Sequence, residues 1–283
     1  MSDPPIPNVP AQAIAAWADW YVRVGVLDCV EDLGFDRRAA TPEPQRPTLP
    51  QPAARPPDSP PPGRTATAEP EGVASARALA SRCRTLDELE AALRTFGGCP
   101  LAETATRLCF ADGNPKAPVM LVGEAPGAEE DRQGKPFVGP SGRLLDRMLA
   151  AIGLGRQHVY ITNLVYWRPP GNRPPTPGEL ATCQPFLERQ IELLRPRILV
   201  SVGGVAAKAL LDLKEGVTKL RGRRFTYQPA DGGPPIPTFV VLHPAYLLRQ
   251  PLQKRLAWRD MLQLKAEMLA LGLRPGAEGG GTG

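Results

Sequence analysis

Four short apolar runs, Val119–Val122, Val159–Asn163, Ile198–Val202 and Thr238–Leu242, constrain the fold of this chain more than any other feature. Each is short and rich in β-branched or aromatic residues, so each reads as a strand. Val119-Met120-Leu121-Val122 is apolar at consecutive rather than alternate positions, which suits a strand covered on both faces. Helical patterns separate the first three runs, at Ser141–Ile152 and at Pro177–Leu194, the latter holding Pro185; another, Ala206–Leu213, follows the third. Strands alternating with helices predict an α/β domain, a three-layer α/β/α sandwich around a central, mainly parallel four-stranded sheet. Upstream, Ala76–Phe96 is helical in pattern through Leu79, Leu86, Leu89, Ala92 and Leu93, and the capping-box spacing of Thr85 and Glu88 predicts that one helix starts there.

These elements place the folded domain at residues 76–272. Before it, residues 39–75 read as a semi-extended linker, because eleven prolines between Pro42 and Pro70 remove amide donors and fix φ. Residues 1–38 read as a helical extension, with Ala11, Ile14, Ala15, Ala18, Tyr21 and Val22 in helical period. The glycine-rich end, 273–283, reads as a disordered tail. No run of about 18 apolar residues predicts a membrane span. The N-terminus shows no basic patch followed by an apolar stretch, so a cytoplasmic protein is expected. The formal net charge of +5 is compatible with an acidic partner such as nucleic acid. Five widely spaced cysteines, Cys29, Cys83, Cys99, Cys109 and Cys183, an odd number without a C-x-x-C pair, are expected to stay reduced.

Ligands of such sheets bind beyond the carboxyl ends of the strands. The first strand is followed there by Gly123-Glu124-Ala125-Pro126-Gly127-Ala128-Glu129-Glu130-Asp131 and then Gly134-Lys135-Pro136-Phe137-Val138-Gly139. The second ends at Thr162-Asn163, the third at Gly203-Gly204, and the fourth at His243-Pro244-Ala245-Tyr246-Leu247-Leu248-Arg249. Carboxylates, an amide and a histidine at neighbouring strand ends are groups that read and polarise a small planar heterocycle.

The strings GEAPGAEEDRQGKPFVGPSGRLL, VYITNLVYWRPPGNRPP and LHPAYLLR, in that order, resemble the three motifs of the family-4 uracil-DNA glycosylases. The similarity runs from about Phe96 to Leu264. It implies a DNA-repair enzyme that flips uracil out of DNA and hydrolyses its N-glycosidic bond, leaving an abasic site. Gly123, Ala125, Phe137, Asn163 and His243 would bind the base: Phe137 by stacking, Asn163 by pairing with the O4 and N3 edge, His243 by donating to O2 as negative charge develops. Glu124 and Glu130 are the candidates for activating water, with Asn172 as a water positioner. Leu247 would enter the vacated stack. Ser141, Lys219, Arg221, Arg223 and Arg249 would contact the DNA backbone.

The chain also departs from the resemblance. The best-studied glycosylases of the superfamily carry an aspartate where Ala125 stands here. Family-4 enzymes hold a four-iron, four-sulfur cluster on four cysteines; Cys99 and Cys183 match two of those positions, whereas Phe96 and Trp167 occupy the others. No cluster and no other cofactor is therefore expected. The segment Arg168–Cys183 lacks the histidine of a related type that captures its product covalently, so turnover is expected. No lysine near the motifs suits a Schiff base, so no lyase step is expected. The partners expected are uracil-containing DNA, acted on by a monomer, and a protein bound through the N-terminal segment. Alternatives are a non-catalytic DNA- or replication-associated module, or a glycosylase shifted to hypoxanthine or xanthine.

Overall fold

In a computed structural model, which describes residues 71–273, the four apolar runs are strands joined by two shorter ones. They are β1 (Asp112–Gly113), β2 (Val119–Gly123), β3 (Val159–Asn163), β4 (Ile198–Val202), β5 (Arg224–Tyr227) and β6 (Ile236–Val241). They make one sheet in the order β1-β3-β2-β4-β6-β5. The inner four are mutually parallel, and β1 and β5 pair antiparallel at the edges. The sheet thus has six strands rather than the expected four. Neither edge strand carries an apolar run: β1 is Asp-Gly, and β5, Arg-Phe-Thr-Tyr, is largely solvent-facing, as befits a strand with one open side.

The helices are α1 (Glu71–Arg82), α2 (Leu86–Thr95), α3 (Leu101–Thr104), α4 (Ala128–Gln133), α5 (Pro140–Ala151), α6 (Pro177–Leu194), α7 (Gly204–Leu211), α8 (Val217–Leu220), α9 (Pro244–Arg249) and α10 (Lys254–Ala270). Successive side chains of a strand point to opposite faces. Val119 and Leu121 accordingly pack with Leu144 and Met148 of α5, Leu247 of α9 and Met261 and Leu264 of α10. Met120 and Val122 face the other way, onto Leu187 and Ile191 of α6 and Ala206 of α7. This is the three-layer α/β/α arrangement. Helix α6 opens on the capping box of Thr176 and Glu179 and continues through Pro185.

The helical pattern at Ala76–Phe96 is two helices, divided at Cys83–Thr85, and the second starts after Thr85 as its capping-box spacing predicts. Thr85 caps α2 by accepting from the Glu88 amide at 3.1 Å, while the Glu88 carboxylate accepts from the Arg84 amide at 2.6 Å. Helix α1 begins at Glu71, inside the stretch assigned to the linker, because no proline follows Pro70 until Pro100. The extension at 1–38, the linker up to Pro70 and the tail beyond Leu273 lie outside the described residues. No helix among the described residues is long and apolar enough to cross a membrane.

Candidate active site

A cleft of about 720 Å³ opens beyond the carboxyl ends of β2, β3 and β6, with Glu124, Phe137, Asn163, His243 and Tyr246 among its walls. Gly123 and Asn163 are partners in the β2–β3 register, which sets the amide at the mouth of the sheet. A Cβ on Gly123 would lie 2.3 Å from Asn163 Oδ1 and 2.6 Å from the Phe137 ring. Only glycine there lets the amide and the ring converge. Asn163 is 1% exposed, and its Oδ1 is the buried side-chain polar atom without a hydrogen-bond partner among the described residues. Such an acceptor costs about 1–3 kcal/mol until a donor reaches it, so it marks a place for a ligand N–H.

Phe137 reaches the cleft from a backbone with φ of 54°, the left-handed region that a bulky side chain enters at a cost. Helix α5 packs directly over this turn. A Cβ on Gly142 would stand 1.6 Å from the Phe137 carbonyl oxygen, closer than any atoms can approach. Gly142→Ala must therefore push α5 off the turn, and a loss of about 3 kcal/mol or more in urea unfolding is expected. A loss below about 1 kcal/mol would show that α5 yields freely.

His243 follows β6 and caps α9, its Nδ1 accepting from the Ala245 amide at 3.1 Å. With Nδ1 an acceptor, the proton of the neutral ring sits on Nε2. Burial, then the positive charge of Arg249, pushes the imidazole pKa down to about 4 against a small opposing pull from Glu130. The ring is only half-buried because one edge faces the cleft. It lies 5.7 Å from the Phe137 ring, centroid to centroid.

The three candidates for handling water differ sharply. Glu124 lines the cleft, makes no side-chain hydrogen bond among the described residues, and is raised in pKa by burial. Glu130 also borders the cleft, but its carboxylate accepts from the Gly127 amide at 3.1 Å and the Gly139 amide at 2.9 Å. It ties the two ends of the loop together, so a base role would require dismantling the loop. Asn172, at φ of 55°, accepts from Arg168 Nε at 2.7 Å through its Oδ1. Ala125 lines the cleft as the motif implied.

Of the residues expected at the DNA backbone, Ser141 and Arg249 line the cleft. Leu247 does not reach it. Its side chain is 0% exposed, in the core between the sheet, α5 and α10, so it cannot enter a base stack without unpacking the domain. Leu248, one residue on, is 41% exposed. Arg221 is likewise turned inward: its guanidinium meets Asp260 at 2.5 and 3.0 Å and the Leu256 carbonyl at 2.9 Å. Arg223 pairs with Glu215 at 3.6 Å and lies over the Phe225 ring. Lys219 is exposed on α8 and makes no ion pair among the described residues. Tyr246 and Arg173 stand within the motif strings without an assigned role, and both line the cleft.

A four-iron cluster does not fit the residues present. The Cys99 and Cys183 sulfurs are buried 3.9 Å apart, with the Cys183 thiol donating to Cys99. That bond lowers the pKa of Cys99 and raises that of Cys183. The two remaining positions are filled by aromatic rings that offer no thiolate: Phe96 packs edge-on to Phe186 at 4.9 Å, and Trp167 edge-on to Tyr166 at 6.3 Å. Cys83 and Cys109 cannot stand in, because their thiols are directed at the Leu79 and Glu130 carbonyls. Among the described residues no group of three or more metal-ligating side chains occurs.

The family model of the uracil DNA glycosylase superfamily matches residues 110–263. A Type-4 uracil-DNA glycosylase of Archaeoglobus fulgidus is 39% identical over 171 residues, covering 59% of this chain and 85% of the relative. One of Thermotoga maritima is 44% identical over 152 residues, covering 53% and 77%. A Type-5 uracil-DNA glycosylase of Thermus thermophilus is 38% identical over 114 residues, covering 35% and 52%.

Proposed function

The chain belongs to the uracil DNA glycosylase superfamily, and we propose that its cleft receives a uracil swung out of DNA and directs hydrolysis of the bond to deoxyribose. Its activity is excision of uracil in DNA repair, with an abasic site as the DNA product. The observation that carries the assignment of the site is the unpartnered Oδ1 of Asn163. Uracil offers N3–H to that acceptor and O4 to the Asn163 Nδ2. Cytosine presents an acceptor at N3 and a donor at N4, so both contacts turn repulsive.

Phe137 stacks on the flipped base. His243 donates Nε2–H to O2, where charge gathers as the C1′–N1 bond breaks and its electron pair passes to uracil. Water then attacks C1′ and gives its proton to Glu124, the cleft carboxylate not already bonded to the protein. Glu130 holds the loop in shape, and Asn172 borders the path of the water. No lysine lines the cleft, which accords with hydrolysis rather than a lyase step. Leu248 replaces Leu247 as the apolar side chain offered to the vacated stack, between the cleft residues Tyr246 and Arg249. Ser141, Arg249 and Lys219 serve the phosphates, with Arg223 behind its pairing to Glu215. The catalytic domain acts as a cytoplasmic monomer, and the segment 1–38 engages a protein partner.

Because His243 is neutral down to about pH 4, no titration of this residue should show between pH 5.5 and 8. The rate should fall only on the acid side, as the raised Glu124 carboxyl gains its proton. A limb centred near 6.5 in single-turnover rates that persists in Glu124→Gln would show that His243 titrates as an ordinary exposed histidine. Base choice is tested with oligonucleotides carrying one uracil, hypoxanthine, xanthine, thymine or cytosine. Release of free uracil, and of none of the other bases at comparable rate, is expected; preferential release of a purine would overturn the assignment of Asn163.

A further inference from the structure

Arg156 stands in the turn that leads into β3, outside the cleft and outside every recognised motif. Its side chain is three-quarters shielded, and each arm of its guanidinium has a partner. Nη1 meets Asp112 of β1 at 2.5 Å and the Pro136 carbonyl at 3.4 Å. Nε and Nη2 meet the two oxygens of Asp146 on α5 at 2.8 and 3.4 Å. Nη2 also donates to the carbonyl oxygen of Phe137. One planar cation thus joins an edge strand, the helix over the turn, and the backbone of the residue that stacks on the base.

The backbone of Phe137 needs such a partner. Its left-handed φ costs roughly 1–2 kcal/mol for a side chain of this bulk, and a conformation of this kind persists only where the surroundings over-determine it. The Phe137 carbonyl oxygen packs directly against Gly142 of α5, which leaves it no room to shift further toward that helix. Arg156 supplies the hydrogen bond that holds it in place. Asp112 and Asp146 hold the guanidinium in the one plane from which it reaches both carbonyls. Lysine cannot replace it, since a single ammonium cannot serve two carboxylates and two carbonyls at fixed angles.

We propose that Arg156 is a positioning residue for base recognition: held by Asp112 and Asp146, it fixes the turn from which the Phe137 ring meets uracil. This rests on the reading that Phe137 stacks on the base. Arg156 does not line the cleft, so it acts on uracil only through the elements it holds, among which Phe137 is the one that meets the base.

The test compares Arg156→Met, Arg156→Lys, Phe137→Ala and the double variant Phe137→Ala/Arg156→Met, each well below its own melting midpoint. Two quantities are read: inhibition of excision by free uracil, and affinity for a duplex with an abasic site, which has no base to stack. Arg156→Met should raise the half-inhibitory uracil concentration about tenfold, within the usual worth of base–aromatic stacking. Arg156→Lys should fall between wild type and Arg156→Met. Abasic affinity should change less than about twofold in all of them, and the double variant should lose no more than Phe137→Ala alone, since coupled residues are non-additive. Additive losses, or equal losses on uracil and abasic DNA, would overturn the proposal and leave Arg156 a general stabiliser. If Phe137→Ala leaves uracil inhibition unchanged, the stacking role of Phe137 fails, and the proposal for Arg156 fails with it.

Discussion

Replacing His243 with alanine is expected to slow single-turnover uracil excision by about 10²–10³-fold, the usual loss when one preorganised donor is removed from a developing anion. The expectation follows from how the ring is held. Its Nδ1 is occupied by the Ala245 amide, so the only proton it can offer points from Nε2. Burial and Arg249 keep it uncharged at neutral pH, which makes it a fixed neutral donor rather than an acid. Its dipole is already oriented before the bond breaks, so stabilising the uracil anion requires little reorganisation. Glu124→Ala should cost less. In a bond cleavage that runs ahead of water attack, activating the water matters less than accepting the charge of the leaving base. A reversed order, with Glu124→Ala the slower, would show that water activation limits the step. It would also make Glu124 the group that stands in for the aspartate absent at Ala125.

The second large effect is expected at Asn163. Asn163→Ala should lower the specificity constant for uracil excision by about 10²-fold or more, because two hydrogen bonds to a desolvated base edge are lost together. Folding should tolerate the change. Oδ1 makes no bond among the described residues, so truncation removes a buried unsatisfied acceptor rather than a structural contact. The variant should therefore melt no lower than about 1 kcal/mol below wild type while losing most of its activity. Parallel loss of stability and activity would instead make Asn163 a scaffold residue, and the reading of its free acceptor would be wrong.

The inner sheet was legible because its signal is local. Val119–Val122 and Ile198–Val200 are apolar at successive positions, as suits a strand covered on both faces. The pair Thr85 and Glu88 likewise announces a helix start through contacts three residues apart. The edge strands were not legible, since β1 is two residues long and β5 begins with arginine. At the site, the motifs single out Glu124, Phe137, Asn163 and His243, which the fold gathers around one cleft. They could not show that Glu130 is bonded to the amides of Gly127 and Gly139, because those bonds depend on the path of the loop.

Leu247 and Leu248 illustrate the same limit. They are adjacent on one short helix, and which of them faces outward is decided by how α9 docks against α5 and the sheet. Arg221 reads as part of a basic run, yet its partner, Asp260, is 39 residues away on α10. Arg156 is the opposite case. An isolated arginine in a loop reads as a solvated charge, and only folding shows that two aspartates and two carbonyls converge on it. Phe96 and Trp167 are intermediate. Their identities already argue against four thiolates, whereas their packing on Phe186 and Tyr166 shows what occupies the volume.

The most direct measurement incubates the purified protein with an oligonucleotide carrying a single uracil, cleaves abasic sites with alkali, and repeats this with Asn163→Ala and His243→Ala. Excision through Asn163 and His243 implies a strand break at the uracil position for the wild-type protein, with catalytic turnover, and rates at least about 10²-fold lower for both variants. A wild-type protein that binds the oligonucleotide but yields no alkali-labile site, or variants that cut as fast as the wild type, would contradict it.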